Sequence, residues 1–299
     1  GYHPCLHGAT LEIRERVIQL LDLVDTCTDS AHYKKHALKA LYLLMPYWDG
    51  TLSHLDHLLN HPPTVLDKSQ KSTIATFGGN IESPRTALRQ LDALEPEDEG
   101  LNIEQALMTA QVVYIRSDMQ DTVVRKATNC LIEEIIQVVR KIRLPVYTKL
   151  TLDETRFMMT QTLADSLATV LSKKLLMTLA YQSVNDPKNL TDRTLNADSI
   201  KNGIETNTQT TIAHRAADDD TAEWISNPTG GIQKTVTKME RVERNSSGAE
   251  EWTGERSVGH LEENLIHKNI IFSLPPRVSV LLRPNEISCI LYTCWIPVR

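Results

Sequence analysis

The densest apolar periodicity in the chain lies in Ser117–Val184, which reads SDMQDTVVRKATNCLIEEIIQVVRKIRLPVYTKLTLDETRFMMTQTLADSLATVLSKKLLMTLAYQSV. In its first part, apolar residues recur every three or four positions, which is the spacing of one helix face. These residues are Val123, Val124, Ala127, Leu131, Ile135, Val138, Val139 and Ile142. We therefore predict a helix from about Asp118 to Ile142, ended by Pro145, which cannot continue a helix.

A second helix is predicted after this proline. Thr151-Leu152-Asp153-Glu154 has the form of a capping box, in which a Thr and a Glu three residues later satisfy free backbone N–H groups. Apolar residues follow at helical spacing and become denser at Leu175–Leu179. A helix that is apolar on most sides is normally buried on most sides. We therefore expect a core helix from Thr151 to about Val184.

The remaining pattern predicts a mainly α protein with a helical, bundle-like body and a small C-terminal β element, α+β overall. Capped apolar stripes predict further helices before Ser117. β-Branched and aromatic runs predict two or three strands at Ile270–Phe272, Val278–Leu282 and Ile287–Ile296. Three parts are expected: a helical body at 1–184, a polar, loop-rich excursion at 185–257, and a C-terminal helix with strands at 258–299.

Composition excludes several classes of protein. The net charge of −6 argues against a protein whose whole surface attracts nucleic acid. No apolar run approaches the ~20 residues that span a bilayer, so no membrane partner is predicted. The five scattered cysteines fit reduced thiols in a cytoplasmic-type compartment or in a particle assembled inside the cell, and they do not indicate secretion.

Three histidines form the most metal-like feature of the sequence. His54, His57 and His61 recur at helical spacing, which places three imidazoles along one face of a short helix. The pattern lacks the Glu of an HExxH site and any evident fourth ligand. A half-exposed polar face opposite the apolar residues of the helix is the favoured interpretation, so these residues are weak candidates for a metal site.

No motif in the sequence specifies a chemistry. The chain contains no GxSxG, GxGxxG, HExxH or zinc-ribbon pattern and no Gly-x-x-x-x-Gly-Lys-Ser/Thr phosphate loop. We accordingly predict no catalytic residues and no cofactor, and we lean against an enzyme. Basic faces near Lys34-Lys35, Arg125-Lys126 and Arg140-Lys141-Arg143 leave a nucleic-acid-binding module open as an alternative.

The function predicted from these patterns is structural. The polar residues of 185–257 bury little apolar surface of their own, so their ordering would need packing against neighbouring protein. We expect a subunit of a larger assembly, such as a capsid-type shell of a virion, a clamp or a scaffold. Its partners would be proteins in a homo- or hetero-oligomer, contacted through the excursion and the C-terminal strands. A metal-dependent enzyme using His54, His57 and His61 is the first alternative.

Overall fold

The chain divides into two compact units. In the computed structural model, unit 1 comprises Gly1–Gln182 with Asp186–Asn207, and unit 2 comprises Ser183–Asn185 with Thr208–Arg299. The predicted limits at residues 184 and 257 stay predictions. The structure describes residues 2, 7–20, 30–80, 100–188, 196–244 and 246–294.

Unit 1 begins with helices. Those described before the first strand are α1 (Thr10–Leu20), α2 (Ser30–Leu44), α3 (Leu52–Asn60), α4 (Lys68–Asn80), α5 (Ile103–Met108) and α6 (Thr122–Lys141). The apolar faces of α1 to α4 form one buried cluster, which also includes Cys130 of α6. The helix predicted from the first stripe is thus present as α6, and the Asp121 carboxylate caps it by accepting from the N–H groups of Val123 and Val124.

A parallel pair of strands follows Pro145. β1 (Thr148–Leu152) and β2 (Leu175–Leu179) pair in register from Thr148 opposite Leu175 to Leu152 opposite Leu179. The connection between them contains the short helix α7 (Gln161–Leu167), and α8 (Ala197–Asn207) follows later in the unit. Apolar side chains of β1, β2, α6, α7 and α8 share a second cluster.

The prediction of a mainly α, bundle-like body is therefore wrong. Residues 151–184 do not form one helix, because Leu150 and Leu152 alternate with polar residues at the spacing of a strand. The dense apolar run at Leu175–Leu179 is a strand for the same reason, and Lys174 before it has a positive φ of 67° that interrupts a helix. The helices and the parallel pair together make unit 1 an α/β structure.

Unit 2 is built on an antiparallel sheet. Its strands are β3 (Thr211–Ala213), β6 (Val278–Leu282) and β7 (Cys289–Tyr292), in the order β3-β6-β7. Helices α9 (Asp219–Ser226) and α10 (Lys268–Phe272) pack with this sheet around buried residues that include Ala222, Ile271 and Val280. Two long antiparallel strands, β4 (Gly231–Arg244) and β5 (Glu250–Asn264), form a separate two-stranded sheet.

Of the strands predicted in the C-terminal part, some are present and one is not. The predicted pairing of Val278–Leu282 with the next strand is confirmed by β6 and β7. The strand predicted at Ile270–Phe272 is instead part of α10, and the His267 side chain caps this helix by accepting from the Asn269 N–H. Within the described residues, no helix combines the length and apolarity that crossing a bilayer requires.

Candidate functional site

The carboxyl ends of β1 and β2 lie at the same edge of the sheet, because the two strands are parallel. In open α/β sheets, ligands bind at this edge. Asp153 and Glu154 directly follow β1, and both are exposed. Gln182, also exposed, lies three residues beyond the end of β2. This edge therefore presents two carboxylates and an amide from neighbouring strands.

Backbone hydrogen bonds fix the turn that carries the two carboxylates. The Ala180 N–H donates to the Leu152 carbonyl oxygen at 2.9 Å, and the Thr155 N–H donates to the Ala180 carbonyl oxygen at 3.0 Å. The buried hydroxyl of Thr155 adds a 2.8 Å hydrogen bond to the same Ala180 oxygen. Asp153 and Glu154 are thus held between two anchored residues.

Glu154 has a left-handed backbone, with φ 50° and ψ 46°. A non-glycine residue in this conformation costs about 1 kcal/mol or more, and such strain collects at functional sites. Its N–H donates to the Asp153 Oδ1 atom at 2.9 Å, which orients the Asp153 carboxylate. The backbone therefore leaves the regular strand conformation at the second of these two adjacent acidic residues.

The segment after β2 is supported by a buried carboxylate. The Gln182 N–H donates to the Asp186 Oδ2 atom at 2.9 Å, and Asp186 is buried. Burial, followed by the negative charges of Glu205 and Asp186, raises the pKa of the Tyr181 hydroxyl above its ordinary value. Tyr181 therefore stays neutral beside the edge at physiological pH.

The chemistry of this edge is that of hard oxygen ligands. Carboxylate oxygens bind Mg²⁺, which commonly takes one or two carboxylates from a protein and completes its shell with water and phosphate oxygens. In the described parts of the chain, no three His, Cys, Asp or Glu side chains converge as a metal cage. Asp153 and Glu154 are therefore the residues of this edge that could hold a magnesium ion.

The three predicted histidines lie elsewhere, on α3. The His57 ring stacks on that of His61 with centroids 4.7 Å apart, and the His54 ring lies 6.2 Å from that of His57. The His54 Nδ1 atom accepts from the Asp49 N–H at 3.2 Å, so this nitrogen already has a partner. A metal role for these histidines stays a prediction without a direct test.

The predicted basic faces are described only in part. Arg140, Lys141 and Arg143 are exposed around the end of α6, and the Lys141 Nζ atom lies 2.6 Å from the Glu12 Oε2 atom. The side chains of Lys34 and Lys35 lie outside the described ones.

A second polar cluster is buried among α1, α6 and the N-terminal segment. Arg16 and Glu134 are both almost fully buried and form an ion pair, and the Tyr2 hydroxyl donates to the Glu134 Oε2 atom at 2.8 Å. Burial raises the pKa of the Glu134 carboxyl above its ordinary value, although the Arg16 guanidinium opposes the shift. The cluster borders a cavity of about 170 Å³ that His7 and Gln137 also line.

Sequence reasoning missed Asp153 and Glu154 as a site, because it assigned them to the first turn of a helix. The available signal was a short apolar alternation, Leu150 and Leu152, followed at once by two acids. That pattern is typical of a strand that is followed by metal-binding side chains. It indicates a site only when a parallel partner such as β2 ends at the same edge.

Part of the sequence matches a known protein family. Residues 148–276, somewhat less than half of the chain, match a family described as the TraM recognition site of TraD and TraG. The comparison with curated proteins gives no match. The matched segment begins at β1 and therefore includes the candidate site.

Solved structures of a coupling protein match nearly all of the chain. The unbound monoclinic form of the bacterial conjugative coupling protein TrwBΔN70 gives a TM-score of 0.62 at 13% identity, over 96% of this chain and 68% of that one. The fold resembles that of TrwB. Plasmid coupling protein TrwB with the ATP analogue ADPNP gives 0.63 at 12% identity, over 98% and 70% of the two chains. TrwB with ADP and Mg²⁺ gives 0.61 at 10%, over the same shares.

These findings correct the predicted function. A capsid-type shell, a virion component, a clamp or a scaffold is the wrong class, because the matched family and the similar structures are those of conjugative coupling proteins. The predicted involvement of protein partners is confirmed in general terms, since the matched family is described by its recognition of TraM. The α/β architecture of the similar structures likewise replaces the predicted helical bundle.

Proposed function

We propose that this chain is part of a nucleoside triphosphatase that acts in plasmid transfer. The observation that carries the proposal is the exposed Asp153–Glu154 pair at the carboxyl end of β1, inside the segment that matches TraD and TraG. The similar fold of TrwB is of the P-loop nucleoside triphosphatase type. TrwB has been solved with an ATP analogue and with ADP and Mg²⁺.

Asp153 is assigned to the magnesium ion of a bound nucleotide. In P-loop enzymes an aspartate at the end of a strand helps to hold Mg²⁺, and the ion neutralises charge on the transferring phosphoryl group. The Asp153 carboxylate is exposed and is oriented by the Glu154 N–H. It can therefore offer a second oxygen to a metal or to a metal-bound water.

Glu154 is assigned to the attacking water. Hydrolysis needs a group that orients this water and accepts its proton, and a carboxylate adjacent to the metal ligand serves both roles. The left-handed backbone of Glu154 and the anchor at Thr155 fix the direction in which the side chain leaves the strand. The sequence contains no phosphate loop, so the proposal gives these residues only the metal and water parts of the chemistry.

The matched family also suggests the kind of protein partner. We propose that residues 148–276 include a surface that recognises a TraM-like protein. Titration calorimetry between the purified chain and a TraM-type protein from the same plasmid should give saturable binding. The assignment would be contradicted if only the heat of dilution were measured at protein concentrations up to about 100-fold above a micromolar Kd.

Hydrolysis of ATP by the protein expressed from its natural gene tests the catalytic assignment. Glu154→Gln should lower kcat about 100-fold or more while nucleotide affinity stays nearly unchanged, because the loss affects only the proton-accepting group. Glu104→Gln, which alters an exposed carboxylate on α5, is the matched control and should keep the wild-type rate. A wild-type protein without hydrolysis, or a Glu154→Gln variant at full rate, would overturn the proposal.

A further inference from the structure

One positive charge lies close in sequence to the two carboxylates of the candidate site. The turn after β1, Asp153–Phe157, reads DETRF, and the segment after β2, Ala180–Val184, reads AYQSV. Arg156 is the only lysine or arginine of these two segments. Two residues extend a chain by at most about 7 Å, which bounds the distance between the Cα atoms of Glu154 and Arg156. The long arginine side chain can therefore reach a ligand that is held at this edge.

The Arg156 side chain lies over an aromatic ring. Its guanidinium carbon is 4.5 Å from the centroid of the Phe157 ring, and the face of an aromatic ring attracts a cation. Phe157 packs against the apolar cluster that β1 and β2 share with α6, α7 and α8. Its carbonyl oxygen also accepts a 3.5 Å hydrogen bond from the Asn129 side-chain amide on α6. The ring beneath the guanidinium is thus anchored to the core of unit 1.

This stacking leaves the hydrogen-bonding groups of Arg156 available to a ligand. A guanidinium is planar and its five N–H groups point outward in that plane, whereas the ring contacts its face. Arg156 is only half-buried. In the part of the chain that the structure describes, it forms no ion pair, although Asp153 and Glu154 are close to it in sequence. Its positive charge is therefore not neutralised by the two acids of the site.

A guanidinium of this kind fits a phosphate group. It can donate two parallel N–H bonds to phosphate oxygens, and such charge-assisted hydrogen bonds are stronger than neutral ones. In the proposed function, Asp153 holds the metal ion and Glu154 orients the attacking water. The phosphate that this water attacks is the terminal one of a nucleoside triphosphate, so it lies beside Glu154. Arg156, two residues further on, is the cation of these turns that can contact this phosphate.

We propose that Arg156 donates hydrogen bonds to the terminal phosphate of the nucleotide and that this contact makes the site selective for a triphosphate over a diphosphate. The inference rests on the proposed function, because it needs a nucleotide at the edge that Asp153 and Glu154 form. Phe157 is a positioning residue. Its ring holds the guanidinium before the nucleotide binds, so that less side-chain freedom is lost on binding.

Titration with two fluorescent nucleotides tests this contact. The protein expressed from its natural gene is titrated, with Mg²⁺ present, against N-methylanthraniloyl derivatives of ADP and of the ATP analogue ADPNP. Arg156→Gln should raise the Kd of the triphosphate analogue about tenfold or more and change the Kd of ADP by less than about twofold. Arg156→Lys keeps the charge but loses the paired donors, so its Kd should fall between those of the wild type and Arg156→Gln. Phe157→Leu should raise the Kd of the analogue about two- to fivefold.

Arg143→Gln is the matched control, because Arg143 is an exposed arginine that precedes the amino end of β1. It should keep the wild-type Kd for both nucleotides, and circular dichroism of each variant checks that the fold is retained. If Arg156→Gln kept the wild-type ratio of the two Kd values, this inference would be wrong, while nucleotide binding by the wild type would still support the proposed function. A wild-type protein that binds neither nucleotide would contradict both.

Discussion

The Thr155 hydroxyl donates a 2.8 Å hydrogen bond to the carbonyl oxygen of Ala180, 25 residues further along the chain. This bond joins the chain after β1 to the chain after β2, and the backbone N–H of Thr155 reinforces it by donating to the same oxygen. The edge that presents Asp153 and Glu154 therefore depends on a buried side chain that is not itself part of the proposed chemistry.

Removing this hydroxyl should destabilise unit 1. Thr155→Val keeps the shape of the side chain but leaves the carbonyl oxygen of Ala180 with one donor fewer, so we expect the free energy of unfolding to fall by about 1–3 kcal/mol. Chemical denaturation followed by circular dichroism measures this change. Thr151→Val, on the exposed side of β1, should change stability by no more than about 0.5 kcal/mol. Equal effects of the two substitutions would refute the role of the Thr155 hydroxyl.

The buried Glu134 should make stability depend on pH. Burial raises its pKa in the folded state, so the folded protein holds the proton more tightly than the unfolded chain does. This contribution is fully present below the unfolded pKa of about 4.3 and is lost as the pH rises through the higher folded pKa. The unfolding free energy of the wild type should therefore fall over this window relative to that of Glu134→Gln.

Denaturation of the wild type and of Glu134→Gln at a series of pH values measures this difference. The two proteins should be most alike in acid, where the protonated Glu134 carboxyl resembles the Gln amide, and the variant should be the more stable of the two near neutral pH. A constant difference in stability across the pH series would contradict the raised pKa.

A carboxylate of unit 2 should behave in the opposite sense. Hydrogen bonds from the backbone N–H and then the hydroxyl of Thr221 lower the pKa of Asp218, which caps α9. Its contribution is present above the unfolded pKa and is lost as the pH falls through the lowered folded pKa. Asp218→Ala should therefore destabilise unit 2 by about 1 kcal/mol near neutral pH and by progressively less in acid.

Thermal unfolding of Asp218→Ala, compared with the matched exposed variant Glu223→Gln on the same helix, would measure this capping contribution. The control should keep the wild-type pH profile, because the Glu223 side chain is exposed and is not at the cap. If Asp218→Ala lost the same stability at every pH, the carboxylate would not be the capping group.

The sequence was sufficient to predict elements whose signals are local. Helix α6 has a long apolar stripe and an Asp cap, and β6 and β7 are β-branched runs separated by a short break. The parallel pair has no comparable local signal. Each of its strands is only five residues long. The side chains of β1 are buried or exposed according to its pairing with β2, which lies far along the chain.

The candidate site could not be predicted for the same reason. Thr151-Leu152-Asp153-Glu154 satisfies the pattern of a helical capping box and also that of a strand end followed by a turn. Only the hydrogen bonds between Thr155 and Ala180 distinguish these alternatives, and they join residues that no local pattern relates. The prediction of a capsid-type, clamp or scaffold protein was wrong in turn. It treated the polar stretch after Pro187 as a loop-rich excursion, whereas this stretch contains helices α8 and α9 and strand β3.

The most direct test of the account is metal binding at Asp153. Mn²⁺ replaces Mg²⁺ at carboxylate sites and is visible by electron paramagnetic resonance, so its binding to the natural protein with ADP can be titrated. Asp153→Asn should weaken Mn²⁺ binding in the nucleotide complex about tenfold or more, whereas Asp165→Asn, at an exposed position on α7, should not. Equal Mn²⁺ affinity in the wild type and in Asp153→Asn would contradict the assignment of this edge as the metal–nucleotide site.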